Sequence, residues 1–190
     1  RIGFVLGHRR FSALLAVFSV ASMPTMVYLA TSSYVYQQSF GVSPQLYSAF
    51  FCANALVSVL GPMLYPRVLR DLPQRGLITT CFAVVVIGAA LIFLFGHNGP
   101  FWFATLMLPV TFCSSAIRPP STIILMTLLD SDTGTVASLI GSAAVLCGSL
   151  AMLASGLWVD PLVATSAISM AAGLFCLAGW LILGRDEKRR

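Results

Sequence analysis

Six apolar stretches, each on the order of 20 residues long, take up almost all of this 190-residue chain: Phe11 to Thr31, Gln45 to Tyr65, Leu77 to Gly96, Phe101 to Leu129, Gly134 to Trp158 and Leu162 to Leu183. A helix rises about 1.5 Å per residue and a bilayer's hydrocarbon core is about 30 Å thick, so each stretch can cross a membrane once. Only 9% of the residues are charged and 58% are hydrophobic, against about a quarter charged in soluble domains. These features predict an all-α, multi-pass membrane protein whose six crossings return both termini to one side.

The basic residues say which side. Arg1, Arg9 and Arg10 precede the first span, Arg67, Arg70 and Arg75 flank the second connection, and Arg185, Lys188, Arg189 and Arg190 close the chain. The alternate connections, Gln37 to Pro44, His97 to Pro100 and Val159 to Pro161, hold no Lys or Arg. The positive-inside rule puts the basic side in the cytoplasm, with both termini there. The net charge of +5 therefore reflects topology, and nucleic acid is not expected as a partner.

Several chemistries lack their residues. Cys52, Cys81, Cys113, Cys147 and Cys176 all lie inside spans, odd in number and without metal-ligand spacing, and read as small packing residues. His8 and His97 fall at opposite faces, so no metal is expected, nor any cofactor. Without a Gly-x-Ser-x-Gly elbow, a phosphate-cradling glycine loop or paired acids, an enzyme is not expected either. No Asp or Glu lies inside a span, so this chain alone lacks the intramembrane carboxylate of a proton relay.

Polar side chains are unevenly shared. Thr25, Tyr28 and Ser32 recur at helical spacing beside Ser22, Met23 and Met26; the second span holds Asn54; the fourth holds Thr111, Ser114, Ser115, Arg118, Ser121 and Thr122. Hydroxyls can satisfy themselves on their own helix, but taken together these groups predict that the first, second and fourth spans face a water-accessible interior. The third span is nearly bare. Met23, Met26, Tyr28, Ser32, Asn54, Ser114, Ser115 and Arg118 are accordingly the candidate lining of a small-molecule path.

Two further patterns bear on shape. Pro119 and Pro120 lack amide hydrogens, so the fourth helix should kink beside Arg118; that arginine then either caps the freed carbonyls or snorkels inward along the kink, or couples to substrate or to conformational change. Gly134, Ala137, Gly141, Ala144, Gly148, Ala151 and Ser155 form a small-residue seam at spacings of three and four, a surface for close helix packing or sliding along its whole length. Three spans followed by three also permit an inverted 3+3 repeat.

The runs Ser32-Ser33-Tyr34-Val35-Tyr36, Phe40-Gly41-Val42-Ser43, Leu46-Tyr47-Ser48-Ala49-Phe50-Phe51, Asn54-Ala55-Leu56 and Gly61-Pro62-Met63-Leu64-Tyr65, with Arg118-Pro119-Pro120-Ser121-Thr122, Asp132-Thr133-Gly134 and Ala137-Ser138-Leu139-Ile140, resemble bacterial drug/proton antiporters of the major facilitator superfamily, of the bicyclomycin and chloramphenicol resistance (Bcr/CflA) type. The likeness implies the C-terminal six-helix half of a twelve-helix transporter in the bacterial inner membrane, with small lipophilic or drug-like compounds and protons as its cargo. Residues 1–10 would end the central cytoplasmic loop, residues 11–184 would form the transmembrane half, and residues 185–190 would be a cytoplasmic tail. The chain's start at Arg fits a segment of something longer, and the likeness places the proton-binding acid in an N-terminal half. The loop Pro66 to Gly76 departs from the superfamily's usual glycine, aspartate and arginine motif, and the apolar run Ile123 to Leu129 from its usual amides and acids. A stand-alone six-span protein acting as a homodimer or scaffold is the rival expectation.

Overall fold

The computed structural model describes residues 9–69, 71–128 and 133–188, and these are helical nearly throughout, with no strand among them. Expectations resting on Arg1, His8, Arg70, Asp130, Asp132, Arg189 and Arg190 lie outside the described residues. Eight α-helices build six candidate spans. The first is α1 (Arg9–Val20) and α2 (Met23–Ser33), continued by a wide turn over Tyr34–Ser39. The second is α3 (Pro44–Leu64), the third α4 (Gln74–Phe95), the fourth α5 (Pro100–Ala116) with α6 (Arg118–Thr127). The fifth is α7 (Thr133–Ser155), and the sixth α8 (Pro161–Lys188).

Local chemistry sets these boundaries. Every helix that starts at the end remote from Arg9 begins with proline, at Pro44, Pro100 and Pro161, a position where the missing N–H has no partner to lose. Ser43 caps α3 by accepting from the Leu46 amide at 3.4 Å, and Asp160 caps α8 through its Oδ1, at 2.9 Å from the Leu162 amide. Gly41 carries the left-handed φ of +63° that reverses the chain between the first two spans.

The first span is 31 residues long, Arg9 to Ser39, well beyond the expected Phe11 to Thr31, and it is broken. Pro24 in the first turn of α2 removes the donor for the Val20 carbonyl. The chain turns at Ala21 and Ser22, where the Ser22 hydroxyl donates to the Ser19 carbonyl at 2.7 Å and reaches the Ala144 carbonyl of the fifth span at 3.0 Å.

Packing is pairwise and selective. The first span lies against the fifth and sixth, the second against the fourth, and the third against the fourth and sixth. Hydroxyls stitch some of these contacts: Thr31 Oγ1 lies 2.6 Å from Thr165 Oγ1, and Trp180 Nε1 donates to Thr79 Oγ1 at 3.2 Å. The first and fourth spans are the most buried, at 56% and 50%, and the second and fifth the least, at 11% and 17%. Within this chain the second span is mostly uncovered: only Asn54 and Gly61 of α3 are buried, because one neighbouring span covers a single stripe. Leu56, Ile87, Leu94, Leu146, Leu153 and Ile182 all stand exposed, a surface that suits lipid and not water.

Candidate functional site

The polar candidates separate into two groups at different depths. The first surrounds a cavity of about 290 Å³ between the first, fourth and fifth spans, on the side of the bundle where Arg9 begins. Ser22 and Met26 enter it from the break in the first span, Ser114 and Arg118 from the fourth, and Gly141 and Ala144 from the fifth. It exists because two helices are interrupted at one level. In the fourth span α5 ends at Ala116 and α6 restarts at Arg118, so Pro119 and Pro120 occupy a first helical turn where proline is tolerated. The carbonyl of Arg118 accepts from Ser121 Oγ at 2.8 Å and Thr122 Oγ1 at 2.9 Å.

Arg118 itself is exposed at this cavity. Ser114 Oγ, on the same helix face, is buried with no hydrogen-bond partner among the described residues. A buried hydroxyl without a partner costs about 1–3 kcal/mol unless water or a ligand serves it. Among the described residues, none that lines the cavity is acidic.

The second group lies toward the opposite end and is dominated by aromatic rings. Tyr28 stacks on Phe51 and Phe103, with centroids 6.3 and 6.2 Å away, and Tyr36 stacks on Phe50 at 5.0 Å and meets Phe103 edge-on at 5.3 Å. Tyr28 lies near Tyr36, Tyr47 and Asn54 without a well-formed hydrogen bond to the Tyr36 hydroxyl, and Ser32 Oγ lies 3.3 Å from the Tyr47 hydroxyl. Tyr36 Oη and Asn54 Oδ1 are buried and unpartnered among the described residues. Tyr28, Ser32 and Asn54 are thus brought together here, away from Met26, Ser114 and Arg118. This cluster ties the first, second and fourth spans into an aromatic plug toward the end remote from Arg9.

Two candidates join neither group closely. Ser115 donates to the Phe112 carbonyl at 2.9 Å and sits against Gly61 where the second and fourth spans cross. Met23 is half-buried at the start of α2. The seam divides as well: Gly148, Ala151 and Ser155 are buried, and Gly148 faces Met26, whereas Gly134, Ala137 and Gly141 are exposed. A partner helix covers only the half of the seam where the first span runs close; the remainder opens beside the cavity. Among the cysteines, Cys81, Cys113 and Cys176 are packing residues, while Cys52 is exposed.

The aromatic plug was missed by sequence reading. Its signal was Tyr28 and Tyr36, eight residues apart on one face and followed by Tyr47, Phe50 and Phe51 on the next helix. Also missed was the pairing of two loops: His97 Nε2 lies 3.0 Å from Asp160 Oδ2. Burial alone would raise the Asp160 pKa, but hydrogen bonds from His97 and from the Leu162 and Val163 amides outweigh it and hold the carboxyl below its ordinary value. A carboxyl with a lowered folded pKa stabilises fully above its unfolded value of about 3.9 and loses that contribution as pH falls through the folded pKa.

Asp160→Ala is therefore expected to destabilise by about 1 kcal/mol through loss of the α8 cap, whereas Asp160→Asn, which still caps, costs less. Thermal unfolding in detergent at pH 7 ranks the two. An equal effect would mean that His97 contact, not capping, is what Asp160 supplies.

No protein-family model and no curated protein sequence matches this chain.

Proposed function

We propose that this chain is the C-terminal six-helix half of an alternating-access transporter of the major facilitator type. It exports small lipophilic or drug-like compounds by proton antiport together with an N-terminal half. The observation that carries this reading is the cavity between the first, fourth and fifth spans, lined by residues on both sides of the breaks in the first and fourth spans. Discontinuous helices around a substrate site are the usual construction of a secondary transporter.

Two features support the companion half and the repeat. Exchanging the first three spans with the last three, one for four, two for five and three for six, converts the main packing pairs into one another: first–fifth into fourth–second, first–sixth into fourth–third, and third–sixth into itself. An inverted repeat has that property. The least buried spans also expose small residues, Ser48, Ala53 and Ala55 on the second and Ala137, Gly141 and Ser142 on the fifth. Small surfaces admit close helix contact in lipid, where apolar area alone drives no association. A second copy of this chain could cover the same faces, which is the homodimer reading.

Dye export from vesicles holding the full-length protein tests the proposal. Collapse of the proton gradient is expected to reduce export at least tenfold, and unchanged export rejects antiport. Crosslinking that joined Ala53→Cys or Gly141→Cys to a second copy, and to no other six-helix unit, would favour the homodimer.

A further inference from the structure

We propose that the cavity between the first, fourth and fifth spans takes a small organic anion: a one- or two-ring apolar body bearing a carboxylate, sulfonate or similar acidic group. This deepens the transport reading by naming the substrate class, and it rests on that reading only for the claim that the ligand is carried.

Charge and hydrogen-bond polarity decide the class. Arg118 is permanently cationic, exposed at the cavity, and sits among described lining residues that include no carboxylate. Within a bilayer a guanidinium requires an anion, water or carbonyls, and its planar fork of donors matches a carboxylate or sulfonate. Ser114, exposed by only 3%, lines the same cavity with its hydroxyl unpartnered, so it too has a proton to donate. By contrast the hydroxyls of Ser22, Ser121 and Thr122 already donate to backbone carbonyls. A lipophilic cation would meet like charge at Arg118 and, among the described residues, no acid to pair with. Apart from Ser19 the rest of the lining is apolar, with Phe18 and Met26 against the void. Its volume of about 290 Å³ lies at the lower edge of the roughly 300–1,000 Å³ of drug-sized pockets, which limits the ligand to one or two rings.

Equilibrium binding to the full-length protein in phosphatidylcholine nanodiscs tests the inference with two probes that share a ring system and differ in charge, naphthalene-2-sulfonate and 2-naphthylmethylammonium. The sulfonate is expected to bind at least tenfold more tightly than the ammonium. Arg118→Gln should weaken sulfonate binding at least tenfold, Arg118→Lys should restore most of it, and Ser114→Ala should weaken it severalfold. Restoration by lysine separates charge recognition from misfolding. Equal or tighter binding of the ammonium, or sulfonate affinity unchanged in Arg118→Gln, overturns the inference. Because binding is read without a gradient, sulfonate binding with no gradient-dependent export would reject transport and leave the anion site standing. Gradient-driven export of cations without sulfonate binding would do the reverse.

Discussion

Gly61→Ala should markedly lower the temperature at which the protein unfolds, whereas Gly148→Ala should cost little. A Cβ at Gly61 would collide with Ser115 Oγ and come within 2.9 Å of the Ala116 nitrogen and 3.0 Å of the Phe112 carbonyl oxygen. Two of those three are backbone atoms of the fourth span, close to its break, and cannot yield without moving the helix. At Gly148 the obstacle is Met26 Cγ at 2.6 Å, part of a flexible unbranched side chain that can change rotamer. Overpacking costs typically 1–3 kcal/mol, and the rigid obstacle puts Gly61→Ala at about 3 kcal/mol, with Gly148→Ala at about 1 kcal/mol or below. Against a total stability of about 5–15 kcal/mol, the first should show as a large loss of the monodisperse peak on heated size-exclusion chromatography. Equal behaviour of the two variants would mean that the crossing of the second and fourth spans is looser than described.

At Tyr36, two substitutions should move stability in opposite directions. Tyr36→Ala deletes a ring buried completely among Phe50, Tyr47 and Phe103. Aromatic truncation costs about 3–5 kcal/mol in soluble cores. Here the alternative surroundings are lipid, so the loss is mainly packing, on the order of 2 kcal/mol. Tyr36→Phe keeps the rings and removes a hydroxyl that has no partner among the described residues, and should stabilise by about 1 kcal/mol. Thermal unfolding of both variants in detergent checks the pair. Destabilisation by Tyr36→Phe would show that the hydroxyl is served, by water or by a bound molecule.

The number of spans was legible from hydropathy alone, because the bilayer fixes a helix length that few other environments impose. Rotation and burial of each span were not. In lipid an apolar residue is equally at ease facing a tail or another helix, so the bare third span and the polar-marked second span gave no reliable sign of depth. The third is 39% buried and the second only 11%. Polar and small residues carried what information there was: Asn54 and Gly61 did mark the one covered stripe of α3.

Proline marks both broken spans, but not with equal clarity. Pro119 and Pro120 drew attention to the fourth span, while Pro24, which accompanies a comparable break in the first, was passed over. The cavity depends on both breaks meeting at one level, a tertiary coincidence that no single stretch of sequence contains. For the same reason the candidate residues, correctly grouped as polar, did not divide in advance into an aromatic plug and a cavity.

Everything functional rests on Arg118 and its neighbours facing water while the broad apolar faces meet lipid. In a cysteine-free background, single cysteines at Arg118, Ser121, Ile87 and Leu153 can be challenged in sealed vesicles with a membrane-impermeant thiol reagent. The account predicts fast labelling at positions 118 and 121, from the side bearing Arg9 only, and none at 87 and 153. Protection at 118 and 121 with labelling at 87 and 153 would contradict it.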